Sequence, residues 1–244
     1  MKKMPKIYAH RGASFDYPEN TLLAFEQAVQ QGADGIELDI HFTKDKKLVV
    51  CHDEQIRRTS NGEGLIESFT YEELLSFDFG AWKDARFAGQ KIPLLEQVLP
   101  IVKQSGMDLN IEVKNDETHY VGIEKAVVDM VNSFGLNERV IYSSFDHTTL
   151  VNLKNYDSRV TTGALYSRTP AYAFDYMKQL EINAIHPSSK CVFTQDMCSK
   201  ALASGWLVNV WTVDDPTLAA KLADAGVSAL ITNRPAFIRE SLSK

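Results

Sequence analysis

The chain has 244 residues and carries 26 basic against 32 acidic side chains, a formal net charge of −6. That balance excludes the basic surface of a nucleic-acid binder and the polybasic patch of a protein held at a membrane. Its apolar content of 44% suits a globular fold, with no stretch of the ~18 apolar residues a membrane span needs.

Short β-branched runs alternate with helical spacing along the whole chain. Strands are expected at Ile7–His10, Gly35–Phe42, Leu109–Lys114, Val140–Phe145, Thr162–Tyr166, Ala184–Pro187, Leu207–Val213 and Ala229–Thr232. Between them, Leu22, Phe25 and Val29 form one helical stripe closed by Gly32, and Ile123, Val127, Met130 and Phe134 another closed by Gly135. Leu218, Leu222 and Ala225 before Gly226 repeat the pattern. Pro100 is expected to kink or shorten a helix over Leu94–Gln104. Parallel strands joined by helical crossovers predict an α/β fold. At this length a closed TIM (β/α)₈ barrel in a single domain 1–244 is the economical form, with a doubly wound open sheet as its rival.

One strand stands outside that set. Leu48–His52 follows the second strand after only Thr43–Lys47, whereas a parallel crossover takes about a dozen residues or more. It must return antiparallel, folding over the barrel mouth. The stretch from there to about Lys91 holds turn residues and one short helix opened by the capping box Thr70-x-x-Glu73, so 48–91 reads as a small insertion after the second strand.

In such a barrel the chemistry sits at the C-terminal strand ends, and ionisable residues crowd those ends here. Glu37 and Asp39 are two apart and share a face; so do Asn110, Glu112 and Lys114. Carboxylates turned inward need positive charge beside them. Either a hard divalent cation such as Mg²⁺ or Ca²⁺ sits among Glu37, Asp39 and Glu112, or Lys114 and Arg11 form a structural ion-pair network with them. His10 ends the first strand, and the hairpin brings His52 back toward it, a natural acid and base pair. Arg11 suits phosphate oxygens, and Asn20 at a helix start adds a neutral donor. Phe145 and Trp211 at strand ends are candidates to pack on a ligand's carbon chain. His41 is expected to be exposed, His186 to line the pocket, and His119 and His147 to be solvated. Cys51, Cys191 and Cys198 have neither CxxC spacing nor the number for a disulfide framework. The basic opening Met1-Lys2-Lys3-Met4-Pro5 meets a short strand instead of a signal-peptide core, so a cytoplasmic location is expected.

Taken together, the chain resembles the glycerophosphodiester phosphodiesterase family, and its short cytosolic bacterial members in particular. The matching text is His10-Arg11-Gly12, Pro18-Glu19-Asn20-Thr21, Glu37-Leu38-Asp39, Thr43-Lys44-Asp45, Cys51-His52-Asp53, Ile111-Glu112-Val113-Lys114, Ser143-Ser144-Phe145 and Val210-Trp211-Thr212. The resemblance implies a TIM barrel with an insertion after the second strand. It implies Ca²⁺ or Mg²⁺ on Glu37, Asp39 and Glu112, with His10 and His52 as acid and base. Arg11 and Lys114 would hold phosphate, and Phe145 and Trp211 the glycerol side. The expected reaction is hydrolysis of a small glycerophosphodiester to glycerol 3-phosphate and an alcohol. The alternatives are a lysophospholipase D-like phosphodiesterase and a non-catalytic barrel that binds phosphorylated ligands. No nucleic acid or stable membrane association is expected, and a homo-oligomer is compatible with the sequence. Two positions depart from the family pattern, Lys47 in the hairpin turn and Asn233 in place of a frequent aspartate; neither is expected to touch the chemistry.

Overall fold

A computed structural model describes residues 4–168, 173–191 and 195–243, so Met1–Lys3 of the basic opening lie outside the described residues. Among the described residues, nine strands run in chain order: β1 Lys6–His10, β2 Gly35–Phe42, β3 Leu48–Val50, β4 Asp108–Val113, β5 Val140–Ser144, β6 Thr161–Tyr166, β7 Ala184–Pro187, β8 Leu207–Val210 and β9 Ala229–Thr232. All except β3 are parallel, and β1 pairs with both β2 and β9, through His10↔Glu37 and Ala9↔Thr232. The sheet therefore closes on itself. This is the TIM barrel, and closure eliminates the open-sheet rival, which would leave two edges.

The α-helices among the described residues are α1 Leu22–Gln30, α2 Tyr71–Leu74, α3 Leu95–Ser105, α4 Ile123–Phe134, α5 His147–Tyr156, α6 Ala173–Gln179, α7 Gln195–Ala203, α8 Pro216–Ala225 and α9 Pro235–Leu242; α2 lies in the inserted segment, α9 follows the last strand, and the others are crossovers. Thr21 caps α1 by accepting from Ala24 N, and the Thr70–Glu73 capping box opens α2 as expected. Pro100 does not shorten its helix: α3 runs through it for 11 residues. The hydrogen bond that Pro100 cannot donate would go to the carbonyl of Glu96, yet the helix continues past it to Ser105. Strand β8 is shorter than expected, ending at Val210, and Trp211 makes an isolated bridge to Ser188.

Strand parity divides the molecule into two interiors. Ile7, Ala9, Ile36, Leu38, Ile40, Leu109, Ile111 and Val113 point outward and pack with Phe25, Leu99, Val127 and Val131 of the helices in the main apolar core. The alternate residues face the barrel axis, and many are polar: Asn110, Ser143, His186 and Asn209 are all buried. They satisfy one another in part. Asn110 Nδ2 donates to Ser143 Oγ at 3.0 Å, and Asn209 Nδ2 to His186 Nε2 at 3.0 Å. Gly163 makes room for that imidazole, since a Cβ there would stand 2.5 Å from His186 Nε2.

Strand β3 is antiparallel to β2, in the register Ile40↔Val50 and Phe42↔Leu48, which is the hairpin the short connection demanded. The segment it opens has its own small core of Val49, Cys51, Ile56, Ile66, Leu74, Phe79, Ile92 and Leu94. Ile56, Ile66 and Leu74 are fully buried; burial of each stabilises by roughly 1.5–3 kcal/mol.

Candidate active site

The first strand delivers its two end residues by a sharp turn. Arg11 and Gly12 both take left-handed backbone angles, with φ of 55° and 83°. A Cβ at Gly12 would lie 2.7 Å from Ala24, so glycine alone fits that approach to α1. The turn aims Arg11 N at β2, where it donates to Glu37 O at 2.8 Å and Glu37 Oε2 at 3.0 Å.

Glu37, Asp39 and Glu112 converge as strand parity predicts. One carboxylate oxygen from each lies within 4.8 Å of the others, and all three residues are buried. Lys114 Nζ sits 2.5 Å from Glu112 Oε1 and 3.2 Å from Asp39 Oδ1; Arg11 Nε is 3.5 Å from Asp39 Oδ2. Both cations anticipated from the sequence are therefore present, but they do not balance the cluster. Burial, with Asp39 and Glu112 nearby, pushes the Glu37 carboxyl well above its ordinary range. Burial likewise raises Glu112, against the pull of Lys114. Asp39 goes the other way: although burial opposes it, Lys114, His52, Arg11 and the Asn20 amide hold its carboxyl below the usual range. Its Oδ1 still accepts no well-directed hydrogen bond. Three buried oxyacids sharing two cations, one carboxylate oxygen unbonded and two carboxyls resisting ionisation, form a donor set fitted to a hard cation.

His10 Nε2 is 3.9 Å from Glu37 Oε2. Burial and the adjacent Arg11 guanidinium lower its pKa to about 4. His52 arrives on the hairpin: Cys51 N donates to Asp39 O at 3.1 Å, and the next residue carries its imidazole to the mouth. His52 Nδ1 lies 2.5 Å from Asp53 Oδ1. Behind it runs an ionic chain that sequence reasoning missed. Arg58 grips Asp53 at 2.6 Å and Glu19 at 2.8 Å, and Glu19 in turn accepts from Arg11 Nη1 at 2.9 Å. Glu19 and Asp53 stood in the matched text, but Arg58 lies 39 residues from Glu19 and had no local signal.

Other expectations are met in part. Asn20 comes to the cluster, with Nδ2 committed to Asp39 Oδ2 at 2.9 Å. Phe145 and Trp211 form a T-shaped pair with centroids 5.7 Å apart, and Trp211 Nε1 donates to His186 O at 2.7 Å. His41, expected to be exposed, is fully buried. The returning hairpin and Tyr120 cover it, His52 O and Tyr120 Oη each lying 3.2 Å from its ring nitrogens. His186 is buried inside the barrel. His119 is exposed as expected, whereas His147 is half-buried, with its edge toward Tyr166 at 5.1 Å. Asn233 corrects a further expectation. It does touch the proposed chemistry, because its Oδ1 is 2.7 Å from His10 Nδ1.

Residues 10–237 match the Glycerophosphoryl diester phosphodiesterase family. The chain belongs to that family. It is 37% identical to a glycerophosphodiester phosphodiesterase of Caldanaerobacter subterraneus subsp. tengcongensis over 94% of each chain. It is also 37% identical to a glycerophosphodiester phosphodiesterase of Bacillus altitudinis, over 95% of this chain and 96% of the other. Among solved structures it is similar to an Oleispira antarctica phosphodiesterase in complex with the product sn-glycerol-3-phosphate, with a TM-score of 0.90 and 30% identity. That alignment covers 99% of this family member and 98% of the Oleispira chain.

Proposed function

We propose that the chain hydrolyses glycerophosphodiesters to glycerol 3-phosphate and an alcohol such as choline or ethanolamine. The observation that carries this reading is the convergence, in a member of this family, of three buried carboxylates, two cations and two histidines at one barrel mouth. Glu37, Asp39 and Glu112 would hold Ca²⁺ or Mg²⁺. Oxygen ligands about 2.3–2.6 Å from a calcium ion can stand up to about 5 Å apart, which suits their spacing of 4.8 Å or less. When bound, the cation supplies charge neutralisation at the phosphoryl oxygens.

The chain's own residues do the rest. Arg11 and Lys114 place positive charge beside the phosphate and remain protonated, because the surrounding carboxylates outweigh the cost of their burial. His10, kept neutral, accepts a proton from the nucleophile. His52, oriented by the Asp53 carboxylate at its Nδ1, donates one to the departing alkoxide. Phe145 and Trp211 shape the side that receives glycerol. The nucleophile is water or the glycerol hydroxyl itself, and phosphorus NMR distinguishes them by the presence of a transient cyclic phosphate. We place this activity in the cytoplasm, in a single domain carrying the 48–91 insertion. Three free buried thiols support the location, and no helix among the described residues is long and apolar enough to cross a membrane.

The test is a coupled glycerol 3-phosphate assay over a panel of glycerophosphodiesters, with lysophosphatidylcholine for comparison. It is run after chelation and again with Mg²⁺ or Ca²⁺ restored. The expected result is release from the glycerophosphodiesters, abolished by chelator and recovered with one of the two ions. Turnover confined to lysophosphatidylcholine, or ligand binding with no turnover, overturns the proposal.

A further inference from the structure

We propose that Asn233 and Asp214 are positioning residues that fix the tautomer and orientation of His10. This rests on the assignment of His10 to proton transfer. Asn233 follows β9, whose Thr232 is paired with Ala9 of β1, so barrel register sets it beside His10 although 223 residues separate them in sequence. The hydrogen bonds determine which way its amide points. Asn233 Nδ2 donates to Asp214 Oδ2 at 2.6 Å, and Asn233 N donates to Asp214 Oδ1 at 2.8 Å. Thr232 Oγ1 donates to the same Asp214 oxygen at 2.8 Å, which anchors the carboxylate to the end of β9.

A flipped amide would press its oxygen against the Asp214 carboxylate and lose a charge-assisted bond. Asn233 Oδ1 is therefore the atom that faces His10 Nδ1 at 2.7 Å. An amide oxygen can only accept, so Nδ1 must carry the hydrogen and donate it. The Ser14 hydroxyl braces the arrangement, 2.8 Å from the same amide oxygen and 2.7 Å from the His10 carbonyl. What remains is Nε2, without a hydrogen and on the side of Glu37. That nitrogen is the one able to take a proton at the mouth. Asp214 thus acts at one remove: its charge orients a neutral amide, and the amide assigns the imidazole proton.

Two measurements test this, and the first does not depend on activity. Nitrogen-15 NMR of the wild-type chain should show His10 with Nδ1 protonated and Nε2 bare; the opposite tautomer overturns the proposal whether or not the chain hydrolyses any substrate. The second compares variants with the wild type. Asn233→Leu should lower kcat at least about tenfold with KM little changed; a wrongly presented tautomer in a Ser-His-Asp site costs up to about 10⁴-fold. Asn233→Asp alone sets two carboxylates against each other and should also lose activity. The double exchange Asn233→Asp with Asp214→Asn restores one acceptor facing His10 and one amide behind it, and should recover kcat to within a fewfold of wild type. Undiminished kcat in Asn233→Leu, or no rescue in a double variant that keeps the wild-type fold, overturns the relay. A wild-type chain with the expected tautomer and no turnover would refute the proposed function and leave the relay standing.

Discussion

His10 stands on a barrel strand and is held by a neutral amide; His52 stands on the returning hairpin and is held by ions. The His10 side chain is 13% exposed and that of His52 31%. On the barrel side, register alone brings Asn233 to the imidazole, and the surroundings keep it uncharged. On the hairpin side, His52 leans on Asp53, then on Arg58 and Glu19; Asp53 and Arg58 are part-exposed, so salt screens their pairing. The two histidines thus sit in different sockets: a drier one closed by an amide for His10, the proposed base, and a more open one lined by ions for His52, the proposed acid.

Removing either imbidazole is the severest way to break the comparison. His10→Ala and His52→Ala should each lower kcat by about 10²–10⁴-fold, the usual worth of general acid–base catalysis, with circular dichroism unchanged. Next comes the platform under His52. Ile66→Ala opens the small core of the inserted segment and should cost about 2–5 kcal/mol of local stability. Hydrogen exchange should then quicken across 48–94 while β5 to β9 stay protected; equal loosening of the barrel would show that the two sides are not independent. Arg58→Ala should be milder, at most about fivefold in kcat, because a half-exposed pair contributes about 0–1 kcal/mol. The wild-type rate should fall modestly with added salt, and that salt dependence should shrink in the variant.

The last effect is silent at neutral pH and confined to the barrel side and to acid. Burial lowers the His186 pKa to about 3 from an ordinary 6.5. A histidine held neutral in the fold contributes its stability fully above about pH 6.5 and loses it as pH falls toward 3, because the unfolded chain takes up the proton first. Denaturant titrations of His186→Gln should therefore lose less stability between those limits than the wild type does. Parallel acid limbs would refute the assignment.

How far the sequence carried this account depends on distance along the chain. Strands β2, β7 and β9 end where β-branched runs and parity placed them, and the same parity gathered Glu37, Asp39 and Glu112. The hairpin followed from a connection too short for a crossover. Position along a strand could not say what lies over it, so His41 looked solvated although His52 and Tyr120 cover it. Strand β8 read too long because Val210, Trp211, Thr212 and Val213 are all strand-favouring residues, yet past Val210 only an isolated bridge from Trp211 to Ser188 remains. Asn233 acts on a histidine 223 residues away, and Arg58 ties its near neighbour Asp53 to Glu19, 39 residues away. Their roles come from barrel closure and from the fold of the inserted segment, neither of which a local pattern encodes.

The division of labour between the two histidines is the central claim, and a change of leaving group tests it most directly. A glycerophosphodiester whose alcohol is nitrophenol departs without a proton donor, so the acid becomes dispensable while the base does not. With that substrate His52→Ala should approach the wild-type rate and His10→Ala should stay as impaired as with glycerophosphocholine. Rescue of His10→Ala in place of His52→Ala, or of neither, would contradict the account.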